Sequence, residues 1–198
     1  LLVLRGDPIN SETYFAAEKG GHKYASELIK QVDGLNKGIY LDNNIKNSST
    51  TNFCMGIAGY PEKHFEAPNM DSDIHFLKKK IEHGADYIVT QMFFDNQKYF
   101  DFVKLCREND INVPIIPGLK PLSTAKQLNV LPHRFHLNLP AELVKEVLKC
   151  TDKEDIRQVG VEWAVQQTKE LISFGAPCIH FYTMGRTDNV IKIMSNFS

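Results

Sequence analysis

The sequence predicts an α/β fold in which parallel strands alternate with helices. Its apolar runs are nearly continuous rather than alternating with polar residues, which is typical of strands buried on both faces. Amphipathic stretches of helical length lie between these runs, so strand and helix follow each other repeatedly. Parallel strands joined by right-handed crossovers form either a doubly wound sheet or a (β/α)8 barrel.

The predicted strands are short apolar segments that end in polar or turn-forming residues. The first, LLVLRGD, is apolar as far as Leu4 and becomes polar at Arg5, and the third, ADYIVTQMFFD, is interrupted by the polar Gln91. The five segments span residues 1–7, 52–61, 85–95, 113–121 and 177–186.

The predicted helices have recognisable beginnings and ends. One begins at acidic Asp71 and stops before Gly84, and the longest begins near Asp152 and stops at Gly175. Another follows Asp95, whose side chain suits an N-cap. The predicted helices span 24–32, 71–83, 96–109 and about 152–174, with shorter helical pieces between 123 and 149.

A weak internal repeat favours the barrel over the doubly wound sheet. Gly84-Ala85 and Gly175-Ala176 each end a helix and precede a strand, and a polar side chain follows seven residues later, Gln91 in one case and Tyr182 in the other. The doubly wound alternative would want G-x-G-x-x-G after the first strand, and no such run is present there.

Composition limits the classes of function. The chain has 198 residues, 42% of them hydrophobic and 24% charged, which suits one globular domain or a large part of one. A formal net charge of -1 gives no basic field for nucleic acid or an anionic membrane. No apolar run is long enough to span a bilayer and no signal segment opens the chain, so we expect a cytoplasmic protein.

Cysteine usage favours the same compartment. Four widely spaced cysteines, with no C-x-x-C pair, are expected to be reduced and mostly buried. The tripeptide Arg5-Gly6-Asp7 therefore does not indicate a cell-adhesion ligand, because adhesive tripeptides belong on exposed loops of secreted proteins.

Polar side chains gather at the carboxyl ends of the predicted strands, where a (β/α)8 barrel has its active site. Any one of them could simply be a solvent-exposed loop residue, but a shared ring of them at the strand ends indicates a site. Gln91 stands out because apolar residues follow it. The ring consists of Arg5, Asp7, Tyr60, Glu62, His64, Gln91, Lys120, Gln127, Tyr182 and Arg186.

Two further patterns on the predicted helix over 71–83 can be interpreted in more than one way. Asp73 and Lys80 lie seven residues apart, two helical turns, and so share a helix face. The run Lys78–Lys80 is either a solvated face or a phosphate-binding group. The histidines show no metal-ligand spacing with carboxylates, so we expect no metal site. The Asp, Gln, Tyr and Arg side chains at the strand ends suit a polar, ring-shaped organic ligand or cofactor.

Several motifs occurring in order resemble one family. LRGDP, GYPEKHFEA, ADYIVTQMFFD, PIIPGLKP and HFYTMGR are similar to the strand-end motifs of the methylenetetrahydrofolate reductase family, from Leu4 to about Arg186. The resemblance implies an FAD-dependent (β/α)8 barrel in which NADH or NADPH reduces the flavin. The flavin then reduces 5,10-methylenetetrahydrofolate to 5-methyltetrahydrofolate. It also implies a small-molecule folate substrate and, as we expect, a homo-oligomer.

The resemblance assigns roles residue by residue. Asp7 would lie beside the flavin and the folate as the catalytic carboxylate, disfavouring an anionic reduced flavin and favouring a cationic form of the folate. FAD would be bound by Arg5, Gly6, Asp7, Tyr24, Ala25, Ala58, Tyr60, His64, Glu66, Asp73 and Lys80. The folate and nicotinamide side would comprise Gln91, Gln127, Tyr182 and Arg186.

Departures from the family pattern affect three places. HFEA stands where HPEA is usual, which makes the loop holding His64 less rigid. Gly185 stands where asparagine is expected, which loosens the placement of Arg186, and Phe76 and Lys79 replace polar and basic residues near the diphosphate.

The resemblance covers the later part of the family's catalytic domain, about the last five βα units. We therefore expect one partial domain over residues 1–198, with the first three βα units absent and with them the glutamate that serves the family as general acid. Two alternatives stay open: an FAD- or folate-binding fragment without turnover, and another flavin-linked (β/α)8 oxidoreductase.

Overall fold

The computed structural model describes residues 1–6, 8 and 15–197, and its described strands form one parallel sheet. The strands are β1 (Leu2–Val3), β2 (Gly56–Gly59), β3 (Tyr87–Met92), β4 (Ile115–Leu119) and β5 (His180–Phe181). The helices are α1 (Ala25–Asn36), α2 (Met70–Glu82), α3 (Asn96–Glu108), α4 (Gln127–Phe135), α5 (Ala141–Lys149), α6 (Lys153–Phe174) and α7 (Asp188–Met194).

The order of the strands decides between the two predicted topologies. Each strand pairs in parallel with the next one in sequence, giving the order β1-β2-β3-β4-β5. A doubly wound sheet reverses its order at a switch point, whereas a barrel keeps its strands in sequence order. The fold is therefore part of a (β/α)8 barrel, and this prediction is confirmed.

Local sequence explains the helix ends. Asn69 caps α2 by accepting a hydrogen bond from the Ser72 N–H at 2.8 Å, and Asp152 caps α6 by accepting from the N–H groups of Glu154 and Asp155. Gly175 ends α6 with φ 95°, in the left-handed region that glycine adopts without strain. The predicted helices are all present, and α7 was not predicted.

The main core lies between the sheet and the helices. Val3, Ile57, Ile88 and Leu119 point to this outer face, so the strand residues next to them face the inner side of the sheet. A second core, around Leu122, packs the loop after β4 against α4, α5 and α6. The two cores fix the strand ends, because the loops that follow β3 and β4 begin inside them.

The cysteine prediction is half right. The four cysteines are free, but only Cys106 is buried, while Cys54 and Cys178 are exposed. Both exposed cysteines lie in connections that precede a strand rather than in the strand itself. Within the described part of the chain, no helix is long and apolar enough to cross a membrane.

Candidate functional site

The carboxyl ends of β1 and β2 bring a group of predicted site residues together. Arg5 follows β1, and its Nη2 donates to Oε1 of Glu66 in the β2–α2 loop at 2.7 Å. The Arg5 guanidinium also lies 5.0 Å from the ring centroid of Phe15. The two residues of this ion pair are 61 positions apart in the sequence, and the pair joins the segment after β1 to the loop after β2.

His64 lies at the centre of the β2–α2 loop. Its ring packs edge-on against Tyr60 with centroids 4.5 Å apart, and its Nδ1 accepts a hydrogen bond from the Glu66 N–H at 3.2 Å. The His64 N–H donates to Oδ2 of Asp73 at 2.8 Å. Burial lowers the pKa of His64 and outweighs the opposing effect of Asp73 and Glu66, so the neutral imidazole is favoured.

Lys80 reaches the same place from α2. Its Nζ donates to the carbonyl oxygen of Ala58 in β2 at 3.1 Å. Burial lowers the pKa of Lys80, while the Asp73 carboxylate raises it. The predicted common face of Asp73 and Lys80 is thus confirmed, and Lys80 does not belong to a solvated face.

Lys63 holds the loop in shape. It has φ 76°, in the left-handed region, and its Nζ donates to the carbonyl oxygens of His64 at 3.0 Å and Ala67 at 2.6 Å. These bonds supply locally the rigidity that proline would give in HPEA, so the phenylalanine of HFEA does not leave the loop untethered.

A second contact closes the β2–α2 loop onto the α4–α5 connection. The Glu62 carboxylate accepts hydrogen bonds from the Asn138 N–H, at 3.2 Å to Oε1, and from the Asn138 side-chain amide. The rings of Phe65 and His136 stack with centroids 5.2 Å apart. We call these two contacts the loop clasp. Sequence reasoning missed His136 and Asn138 as its members, because no local pattern links positions 76 residues apart.

Gln91 lies beneath the loop clasp. Together with Tyr60, Glu62 and His136 it lines a small cavity at the end of β3. Its Oε1 accepts a hydrogen bond from the Met92 N–H at 2.9 Å, and its Nε2 has no hydrogen-bond partner among the described residues. The two N–H donors of this amide are therefore uncommitted among the described residues, beside a cavity with room for about one water molecule.

The Tyr182 side chain lies against the neighbouring strands β3 and β4 instead of extending away from the sheet. Its hydroxyl donates to the Thr90 carbonyl oxygen at 2.8 Å, and burial raises its pKa. Gly118 makes room for it, because a Cβ at that position would lie 2.6 Å from the Tyr182 ring and 2.4 Å from the Thr90 carbonyl oxygen. The Tyr182 ring is thus placed on the inner side of β4.

The other predicted site residues are not joined to this group by polar or ring contacts. Oε1 of Gln127 accepts from the N–H groups of Ser123 and Thr124, which orders the loop after β4. Arg186 is exposed in a turn and forms no ion pair with a described residue. Tyr24 and Ala25 begin α1, where the polar and ring contacts of Tyr24 stay with Lys23 and Glu27.

The start of the predicted catalytic segment is only partly described. Gly6 has open space around it, since a Cβ there would meet nothing within 4 Å. Asp7 lies outside the described residues, so its catalytic role stays a prediction. Among the residues that the structure does describe, no group of three or more His, Cys, Asp or Glu side chains could hold a metal ion.

Comparison with known proteins places this arrangement in a family. A family model described as methylenetetrahydrofolate reductase matches residues 1–198. The chain is 31% identical to methylenetetrahydrofolate reductase (NADH) 1 of Arabidopsis thaliana over 99% of the chain and 33% of that protein. It is 32% identical to methylenetetrahydrofolate reductase 2 of Saccharomyces cerevisiae over 100% of the chain and 32% of that protein. The chain thus spans about a third of the length of these curated relatives.

Similarity among solved structures supports the fold. An uncharacterized protein from Clostridium thermocellum, which binds two copies of 5-methyl-5,6,7,8-tetrahydrofolic acid, superposes with a TM-score of 0.59 at 20% identity. The match covers 95% of this chain and 63% of that one.

Proposed function

The chain belongs to the methylenetetrahydrofolate reductase family, and from this premise we propose that it supplies the FAD-binding and folate-binding part of such an enzyme. The reaction is the reduction of 5,10-methylenetetrahydrofolate to 5-methyltetrahydrofolate with NADH or NADPH as the hydride donor. The single observation that carries the proposal is the convergence of Arg5, Tyr60, His64, Asp73 and Lys80 at the ends of β1 and β2.

The residues of this group fit FAD by their chemistry. Lys80 is a partly buried cation whose ammonium makes one hydrogen bond among the described residues, to a backbone carbonyl, so it keeps donors for a diphosphate. Tyr60 and His64 offer ring faces and edges. Arg5 is a second cation, paired with Glu66 beyond the carboxyl end of β1. When bound, FAD would accept and deliver the hydride.

The protein's own residues would bind and orient the reactants. The loop that carries His64 is tethered by Asp73, which accepts from the His64 N–H, and by the Arg5–Glu66 ion pair, so the Tyr60 and His64 rings are preorganised rather than ordered on binding. Gln91 offers its free amide donor to the folate ring or the nicotinamide. Asp7 would favour the cationic form of the folate by its charge.

The proposal extends to the domain as a whole. We propose that residues 1–198 form the later part of a catalytic barrel, of which the structure describes five parallel strands. The match to only about a third of each relative supports this extension. Cytoplasmic location and homo-oligomer assembly stay predictions.

Purification of the complete polypeptide that carries this chain tests the proposal. We expect a yellow protein whose visible flavin absorption bleaches anaerobically with NADH or NADPH and returns when 5,10-methylenetetrahydrofolate is added. A colourless complete protein, or one whose bleached flavin the folate does not reoxidise, would contradict it. Comparing the two nicotinamides in the same assay identifies the donor.

Asp7→Asn tests the role of the catalytic carboxylate. The variant should keep FAD and slow the folate half-reaction more than the nicotinamide half-reaction in stopped-flow absorbance. Equal loss in both half-reactions would rule out the assigned role.

Folate binding without turnover is the second candidate. Its support is the structural neighbour, which binds a methylated folate. A complete protein that binds 5-methyltetrahydrofolate in calorimetry but stays colourless would favour this candidate over the reductase.

A further inference from the structure

Lys120 occupies the ring of strand ends, between the strands that carry Gln91 and Tyr182. It follows β4 directly, and the preceding residue, Leu119, pairs with Phe181 and is completely buried in the outer core. Because strand side chains alternate, Lys120 falls on the inner side, with Gly118 and the Tyr182 ring. Its position is therefore that of a ligand-facing residue at the mouth of the barrel.

The Lys120 side chain is partly buried and has no counter-ion among the residues that the structure describes. It forms no hydrogen bond and no ion pair with any residue in the described ranges. Three other lysines show how such a charge is satisfied in this chain: Lys37 and Lys192 pair with carboxylates, and Lys63 donates to carbonyl oxygens. Withdrawing an ammonium from water without a partner is unfavourable, and burial accordingly lowers the pKa of Lys120.

We propose that Lys120 is a substrate-binding residue that pairs with an oxyanion, a carboxylate or a phosphate, of the folate or of the nicotinamide donor. An ammonium binds such groups through charge-assisted hydrogen bonds, which are stronger than those between neutral groups. Its neighbours in the ring, Gln91 and Tyr182, are uncharged and cannot supply that attraction. The inference rests on the proposed function for the identity of the ligands.

Two substitutions separate charge from packing. Lys120→Met keeps the apolar stem and removes the ammonium, whereas Lys120→Arg keeps a cation. Lys126→Met is the matched control, because Lys126 is an exposed lysine in the same β4–α4 connection. Each is made in the complete polypeptide, and kcat and KM are measured for methylenetetrahydrofolate with one or several glutamates, and for NADH and NADPH.

Lys120→Met should raise one KM by about tenfold or more, corresponding to about 1.4 kcal/mol, with kcat changed far less. A KM increase that grows with glutamate number identifies a carboxylate, and an increase larger for NADPH than for NADH identifies a phosphate. Lys120→Arg should recover most of the loss, and Lys126→Met should behave as wild type. Unchanged KM values for both ligands in Lys120→Met would overturn the proposal.

A thermal-shift measurement keeps this test separate from the proposed function. Inorganic pyrophosphate and glutarate serve as probes that need no turnover. A probe should raise the melting temperature of wild type and of Lys126→Met by more than that of Lys120→Met, because pyrophosphate could also bind at Lys80. If wild type lacks reductase activity yet shows this pattern, the proposed function fails and the oxyanion site stands. If wild type is active but neither probe nor KM responds to Lys120→Met, only the oxyanion site fails.

Discussion

Asp73 accepts a hydrogen bond from the backbone N–H of His64 at 2.8 Å, so the first turn of α2 holds the loop that follows β2. The two residues are nine positions apart, and the bond fixes the loop between them. The same carboxylate lies two turns before Lys80 on the same face of α2, and it raises the pKa of Lys80. Asp73 therefore links the ring-bearing loop to the cation proposed for the diphosphate.

Asp73→Ala should lower the stability and loosen the loop. We expect a loss of about 1 to 2 kcal/mol in the free energy of unfolding, the usual size for a hydrogen bond to a charged group at a partly exposed site. Asp71→Ala is the matched control, because Asp71 is an exposed carboxylate in the same first turn and interacts equally with the helix dipole. Urea unfolding measures both variants, and equal losses would contradict a specific role for Asp73.

Lys80→Ala should weaken FAD retention. Loss of a charge-assisted contact to a diphosphate predicts about a tenfold faster release of FAD, measured by flavin fluorescence after dilution. Lys79→Ala is the control, because Lys79 is exposed and its ammonium lies over the Phe76 ring, 5.6 Å from the centroid. If both variants release FAD at the wild-type rate, Lys80 has no part in holding it.

Stability should depend on pH through His64. Burial places the folded pKa of His64 below the ordinary histidine value of about 6.5, so the unfolded chain takes up the proton first as pH falls. Stability is therefore complete above about pH 6.5 and decreases as pH falls from there through the folded pKa. Protonation of Nδ1 would also remove the acceptor of the Glu66 N–H.

The measurement compares His64→Gln with wild type in thermal melts at about pH 7.5 and about pH 5.5. The variant should lose less stability between the two conditions, because glutamine does not titrate. His75→Gln, at an exposed position on α2, should lose as much as wild type. An equal loss for His64→Gln and wild type would show that His64 does not carry the pH dependence.

The loop clasp should couple Glu62 to Asn138. In a double-mutant cycle of Glu62→Ala and Asn138→Ala, we expect a coupling of about 0.5 to 1.5 kcal/mol, because both partners lie near the surface. Either single variant should also speed amide exchange in the β2–α2 loop. A coupling near zero, with Glu82→Ala as the exposed control, would show that the clasp does not form in solution.

Sequence predicted the elements better than the contacts between them. β3 could be recognised because ADYIVTQMFFD is a mostly apolar run, as expected of a strand buried on both faces, and α2 because the acidic first turn and Gly84 mark its ends. β1 and β5 came out as two residues each, since each has a single neighbour in the described sheet to pair with. The seven-residue α7 depends on Ile193 packing against α6, which no local pattern reveals.

The same division applies to the site. The strand-end rule pointed to Arg5 and His64 and the family resemblance added Lys80, and the structure brings these three side chains close together. The rule could not tell that Oε1 of Gln127 is used by its own loop, or that the Tyr182 hydroxyl is used by Thr90, since those bonds depend on the placement of backbone atoms. Nor could it pair Glu62 with Asn138.

A last prediction concerns how closely α6 approaches the loop after β4, the loop that carries Lys120. A Cβ at Gly160 would lie 2.0 Å from the Leu122 carbonyl oxygen, and backbone cannot move aside as a flexible side chain can. Gly160→Ala should therefore lower the free energy of unfolding by about 1 to 3 kcal/mol despite alanine's better helix propensity. It should also raise the KM that depends on Lys120, because the loop must shift.

Gly34→Ala provides the contrast, since Gly34 lies in α1 and its nearest neighbour would be 3.4 Å away. There the propensity gain of up to about 1 kcal/mol should appear without a clash. Melting temperatures of the two variants in the same polypeptide measure the difference directly. Because both changes add one methyl group to a helical glycine, equal melting temperatures would mean that α6 does not contact the β4–α4 connection as closely as the structure has it.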